Sequence, residues 1–227
     1  GAAVGALSVI LSSRIPPARA QSKRNLVYGG FGGGIGNLSP VIRYDVPEAT
    51  VIRNIFDNLV DTNYKTRSID PWLATSWKRI DPLTWQIKLR EGVMWHKGYG
   101  EMTAEDLVYT WNFHLESKSW QVRTGLWPLA GFKATGKYVV EVKLKQPFGA
   151  FPGITMGYVG LVICKKAHQE MGNAQYKLNP IGNGPFLFES IKGNEVLVKK
   201  NPKYWKKGLP HLEEIVFRSI PDSHVRL

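Results

Sequence analysis

The strongest constraint in the chain is an alternation. Between residues 83 and 89, Leu83, Trp85, Ile87 and Leu89 are apolar while Thr84, Gln86 and Lys88 are polar. Successive strand side chains point to opposite faces, so a period of two makes a half-buried strand and does not suit a helix. Asp81-Pro82 supplies the turn in front of it. A second run places Tyr138, Val140, Val142 and Leu144 against Val139, Glu141, Lys143 and Lys145, and Gln146-Pro147 ends it. Between the two lies a segment of helical period, Thr103 to Ser117. Thr103 caps it, and Asp106 takes the reciprocal position of a capping-box-like start. Leu107, Val108, Trp111 and Leu115 form its expected buried stripe. Glu105 and Asp106 suit the positive end of the helix dipole, which explains them better than paired-carboxylate chemistry.

The remaining elements follow the same rules. Leu26 to Tyr28 is a short strand running into Gly29-Gly30-Phe31-Gly32-Gly33-Gly34. Such backbone turns tightly and can approach a ligand closely. It lacks the Lys-Ser/Thr ending of a phosphate loop and the spacing of a dinucleotide fingerprint. It is either a flexible surface loop or the lip of a cleft. After Pro47, Glu48 to Val60 carries Val51, Ile52, Ile55, Phe56 and Leu59 at helical spacing. A short helix broken by Pro152 and Gly153 is expected within Phe148 to Met156, a buried strand at Leu161 to Cys164, and a short helix at Lys165 to Met171. Phe186 to Glu189 and Glu195 to Lys199 form a hairpin across Lys192-Gly193-Asn194, and Ile215 to Ile220 is a last strand.

Composition excludes several function classes. The net charge of +12, from 30 Lys and Arg against 18 Asp and Glu, raises the question of nucleic acid. The basic residues are scattered, with no zinc-finger spacing and no basic helix, so a solvated basic surface is the reading and nucleic-acid binding is set aside. Cys164 is the single cysteine; it cannot form an internal disulfide, and no Cys/His cluster has metal-ligand spacing. A buried inert thiol fits it, because His168 alone does not make a nucleophilic site. His96 and His114 read as structural hydrogen-bonding histidines. No catalytic residue and no cofactor is expected. Gly1 to Ser13 is apolar and small, followed by Ala18-Arg19-Ala20, which reads as the end of a secretory signal cleaved near Ala20. The apolar stretch is too short for a membrane span.

At several of these landmarks the chain resembles family 5 of the bacterial extracellular solute-binding proteins, the peptide- and nickel-binding type. The stretch from Leu83 to His96, ending Arg90-Glu91-Gly92-Val93-Met94-Trp95-His96, is similar to the family's strand-and-turn segment. Thr103-Ala104-Glu105-Asp106-Leu107-Val108-Tyr109-Thr110-Trp111 resembles its signature helix. Gly182-Asn183-Gly184-Pro185-Phe186 resembles its glycine turn, and Asn201-Pro202-Lys203-Tyr204-Trp205 and Ile215 to Asp222 its next landmarks. Two places depart from the pattern: Gly98-Tyr99-Gly100-Glu101-Met102 lacks the usual Gly-x-Pro step, and Asn183 stands where Thr is common.

The resemblance implies an α/β, periplasmic-binding-protein-like two-lobed fold, of which this chain resembles the first part of lobe one plus its subdomain. Residues 1–20 are then a signal remnant, 21–47 the first segment of lobe one, 48–178 its subdomain, and 179–227 the return segment. It also implies a periplasmic protein, monomeric at full length, that captures a small ligand, most naturally a di- or oligopeptide. The ligand is delivered to an inner-membrane ABC permease without catalysis. An opine, sugar or metal chelate, or a sensor or remnant role, is the alternative. Ligand-edge candidates are Phe31, Gly32 and Gly33 in the early loop and Asn183 and Gly184 in the return turn; plain turn chemistry explains them equally. Trp127 and Tyr158, aromatics beside turns, either line a pocket or pack in the core.

Overall fold

The computed structural model describes residues 25–31, 35–42, 45–120 and 122–220. The expected export segment with its cleavage site at Ala20, and Gly32 and Gly33, lie outside the described residues. Along the chain the elements are β1 (Asn25–Phe31), α1 (Val46–Ile55), β2 (Val60–Thr62), β3 (Ile69–Pro71), β4 (Ala74–Asp81), β5 (Thr84–Leu89), α2 (Ala104–Glu116), β6 (Leu129–Gly136), β7 (Val139–Leu144), α3 (Lys165–Tyr176), β8 (Phe186–Lys192), β9 (Glu195–Lys200) and β10 (Glu214–Ser219). Single π-helical turns occupy Val122–Leu126 and Pro152–Met156.

One sheet takes strands from both ends of the described chain, in the order β1-β10-β9-β8. β1 lies parallel to β10, with Leu26 opposite Ile215 and Tyr28 opposite Phe217. The other pairs are antiparallel, and Gly193 closes the β8–β9 hairpin with φ of 56°. The second large sheet, β4-β5-β7-β6, is drawn wholly from the sequence between β1 and β8. Its strands alternate as the sequence requires. Trp85 and Ile87 face Val142 and Val140 across the ladder, and Phe132 and Ala134 continue the same dry rows. Helix α2 lies on that face, with the Trp111 ring edge-on to Phe132 at 5.3 Å and its indole N–H donated to the Val159 carbonyl at 3.1 Å. A fully buried tryptophan of this kind contributes roughly 3–5 kcal/mol relative to alanine.

Some expected elements come out differently, each for a visible reason. The first helix stops at Ile55 instead of Val60, because Phe56 turns extended (φ −118°, ψ 137°) and the Ile55 carbonyl accepts the N–H of Gly184. Its five apolar residues are all buried nonetheless. Leu161 to Cys164 is buried but joins no sheet; the Ile163 N–H goes to Thr110 Oγ1 and the Cys164 N–H to the Tyr176 hydroxyl. Side chains there do the work of a partner strand. On α2, Leu115 is exposed, while Thr110 and His114 are buried in its place. Leu83 is also exposed, since its N–H closes a turn on the Asp81 carboxylate. Pro152 opens a π turn where a break was expected.

Asp106 joins two helices through one carboxylate. Oδ2 accepts the Thr103 N–H at 2.9 Å, completing the capping box of α2, and Oδ1 accepts the Lys165 N–H at 3.0 Å in the first turn of α3. The N-cap of α3 is Cys164, which makes no side-chain cap, so α3 borrows its cap from α2. Asp106→Ala is expected to lower unfolding stability by about 1–3 kcal/mol, since it strands two half-buried amides. Glu105→Ala, one residue earlier and exposed, is expected to cost under about 0.5 kcal/mol. Urea unfolding of the pair checks this; equal losses would show that the double cap is unimportant.

Candidate functional site

Where β8 begins, the chain crosses the end of α1 without room for side chains. A Cβ on Gly182 would stand 2.0 Å from the Ile55 carbonyl oxygen, and one on Gly184 only 2.8 Å from it. Glycine at both positions lets the backbones touch, and Gly184 N–H donates to Ile55 O at 2.8 Å. Asn183, 1% exposed, accepts the Asp57 N–H on Oδ1 at 2.9 Å and turns Nδ2 to the Met102 sulfur at 3.3 Å. The Gly184 carbonyl accepts from His96 Nε2 and Asn201 Nδ2, each at 3.0 Å, and His96 N–H donates to Gly182 O at 2.8 Å. Both ends of the Asn183 side chain are therefore engaged within the protein.

Two residues further along α1's exit, Asp57 is buried. Its carboxylate accepts the Trp205 indole N–H at 2.7 Å and the Tyr204 hydroxyl at 3.2 Å. Burial pushes its pKa up, with the donors of Trp72, Trp205 and Tyr204 opposing. The nearby cations sit over rings: Arg90 is 4.2 Å from the Trp205 centroid, and Lys206 Nζ 4.1 Å from that of Trp72. A cavity of about 230 Å³ opens beside this clasp, lined by Arg53, Asp57, Asn58, Asp61 and Trp72 among others. A larger cleft of about 520 Å³ lies over the first turns of α2 and α3, floored by Trp95, Asp106 and Cys164.

The other candidates lie elsewhere. Phe31 ends β1 opposite Ser219, so the parallel strands β1 and β10 finish side by side. In α/β sheets the carboxyl ends of parallel strands are where ligand crevices form. Trp127 and Tyr158 are not core residues, being 41% and 62% exposed. They flank one contact: Gly125, in the first π turn, faces Val159, where a Cβ would stand 2.0 Å from the valine side chain. Thr155, in the second π turn, donates to the Gly125 carbonyl at 2.7 Å. Two π turns thus press together and leave an aromatic shelf on which Trp127 packs edge-on against Phe148 at 5.2 Å. Such turns are rare and frequently attend functional sites. Ile154, on the same pair of turns, and Val46, in the first turn of α1, are exposed apolar residues that sequence reasoning missed. Only Gly125 and Gly153 hinted at the close packing.

Among the described residues, Cys164 and His168 are buried and held by neighbouring groups. Burial pushes the Cys164 thiol up to about 12. His168 is bonded at Nδ1 to the Tyr109 hydroxyl and at Nε2 to Asn173 Oδ1. Among the described residues, no three His, Cys, Asp or Glu side chains converge as a metal-holding group.

Comparison with known proteins agrees with this picture. The family model for bacterial extracellular solute-binding proteins, family 5 Middle, matches residues 68–227. The periplasmic murein peptide-binding protein MppA of Escherichia coli is 25% identical over 96% of this chain and 44% of its own length. The glutathione-binding protein GsiB of Escherichia coli is 26% identical over 98% of this chain and 43% of its own. The structure of the PBP/SBP protein MoaA of A. tumefaciens in complex with mannopinic acid matches with a TM-score of 0.81 at 28% identity, covering 90% of this chain and 42% of that one. The chain spans less than half the length of these relatives.

Burial holds His96 and His114 at a pKa of about 4, below the usual imidazole value of 6.5. A histidine that titrates lower in the folded state stabilises the fold above 6.5 and loses that contribution as pH falls toward 4. Between pH 7 and 5 each is expected to remove about 2 kcal/mol of stability. Urea unfolding at the two pH values measures the loss, and His96→Gln should return roughly half of it; a stability flat over this range would contradict the assignment. Gly182→Ala is expected to disrupt the turn by more than about 3 kcal/mol, since its Cβ lands on backbone.

Proposed function

Because the chain belongs to the bacterial extracellular solute-binding proteins, family 5, we propose that it is the part of a periplasmic protein that presents one wall of a solute cleft. The solute is a di- or oligopeptide, and the bound protein delivers it to an ABC import permease without chemical change. Residues 21–47 and 179–227 are the two stretches of lobe one, and 48–178 its subdomain. Export by a signal cleaved near Ala20 places it in the periplasm.

The observation that carries this reading is the sheet assembled from separated stretches, whose parallel strands end together at Phe31 and Ser219. The glycines 32–34 follow Phe31 directly in the sequence, and Trp127 and Tyr158 supply exposed aromatic surface for stacking. Capture then follows from differential contact: closing a second lobe is favoured only by a ligand that touches both walls. Backbone groups and ordered water suit varied peptide side chains. The murein peptide and glutathione named for MppA and GsiB are peptides. An opine is the second reading, favoured by the likeness to the mannopinic acid complex.

Calorimetric titration of the native protein with di- and tripeptides, glutathione and mannopinic acid tests the proposal. Peptide binding in the micromolar range or tighter is expected, and Trp127→Ala or Tyr158→Ala should weaken it at least about tenfold. Binding of mannopinic acid alone would transfer the assignment to opines. Heat-silent titrations with all of them, or peptide turnover, would overturn it.

A further inference from the structure

The sheet β4-β5-β7-β6 has one face covered by α2, and among the described residues its other face exposes mostly lysine side chains. Register fixes what that face carries. Lys78, Gln86, Glu141 and Lys133 stand in one row across the four strands. Lys88 stands beside Ser76 in the next row, and Lys143 beside Thr84 in the row on the other side. All four lysines are exposed. With strands about 4.8 Å apart and same-face residues about 7 Å apart, the ammonium groups share a plate roughly 15 Å across.

Opposing charge on this plate is small. Glu141 reaches Lys133 at 3.7 Å and is itself half-buried, and Asp81, at the end of β4, acts on Lys143. Lys143 also donates to Thr84 Oγ1 at 2.7 Å. Lys78 and Lys88 form no ion pair among the described residues. Protein partners are usually gripped by aromatic or arginine side chains in pockets, and the rows of this face hold none. Lysines are mobile point charges on long stems, suited to a diffuse negative field rather than to bidentate recognition.

We propose that this sheet face adsorbs the protein to anionic phospholipid headgroups. The attachment is weak and reversible, because each lysine near such a surface strengthens it only about fivefold and salt screens it. A carrier held this way searches for its membrane partner along a surface instead of through a volume. The inference stands apart from the identity of the solute.

Vesicle co-sedimentation tests it. The probe is phosphatidylcholine vesicles with about 30% phosphatidylglycerol, compared with pure phosphatidylcholine, at low and high salt. Binding to the anionic vesicles alone is expected, falling at least about tenfold from 0.05 to 0.5 M salt. The variant K78Q/K88Q/K133Q/K143Q should lose about 600-fold in partition. K166Q/K192Q/K203Q/K207Q, with the same change in net charge elsewhere, should keep most of it. Equal loss in both variants would reduce the effect to overall charge and overturn the assignment, as would no binding to anionic vesicles. Retention only on vesicles that carry the permease would overturn it in favour of an acidic protein surface. Circular dichroism confirms that both variants fold.

Discussion

Everything in this structure depends on the contact between the return turn at residues 182–184 and the exit of α1. There, two backbones approach until no side chain fits between them, and Gly184 donates to Ile55 while Asn183 receives Asp57. The contact sets where α1 stops. It also sets where β8 begins, and through His96 and Asn201 it ties in the segments before α2 and after β9. Four stretches far apart in sequence are thus fixed at one point by hydrogen bonds among buried groups. A buried amide or carbonyl left without its partner costs roughly 1–3 kcal/mol, so the joint is specific as well as strong.

The Asp57 clasp extends the same joint. A carboxylate surrounded by indole and phenol donors is poorly compensated as an ion, and its raised pKa reflects that burial. Its value is directional: Trp205 and Tyr204 can satisfy it in one arrangement, which holds the segment after β9 against the start of β2. Arg90 and Lys206 stack on the rings of Trp205 and Trp72.

Much of this was legible in the sequence, and the exceptions have physical causes. The alternation at Trp85, Ile87 and Leu89 and the cap at Thr103 and Asp106 are local signals, and they appear where expected. What the sequence hid is non-local. Nothing near Phe56 announces that Gly184 will claim the Ile55 carbonyl, so the helix was read five residues too long. Nor does the apolar run at Leu161 to Cys164 reveal that Thr110 and Tyr176 will take the place of a strand. Trp127 and Tyr158 read more readily as core residues than as pocket lining, and the structure exposes both. Their exposure follows from Gly125 meeting Val159, a contact with no pattern of its own. Asn183 and Gly184 were ligand-edge candidates that plain turn chemistry explained equally, and the structure has both of them holding segments together.

Hydrogen exchange on the native protein, with and without a saturating peptide such as glutathione, tests the account most directly. It predicts slowed exchange at the end of β1 and around Trp127 and Tyr158 when peptide is bound. The amides of Asp57 and Gly184 should be strongly protected in both states, because the joint is complete before ligand arrives. Ready exchange of the Asp57 and Gly184 amides in the free protein, or protection by peptide confined to surfaces away from the β1 end and the aromatic shelf, would contradict it.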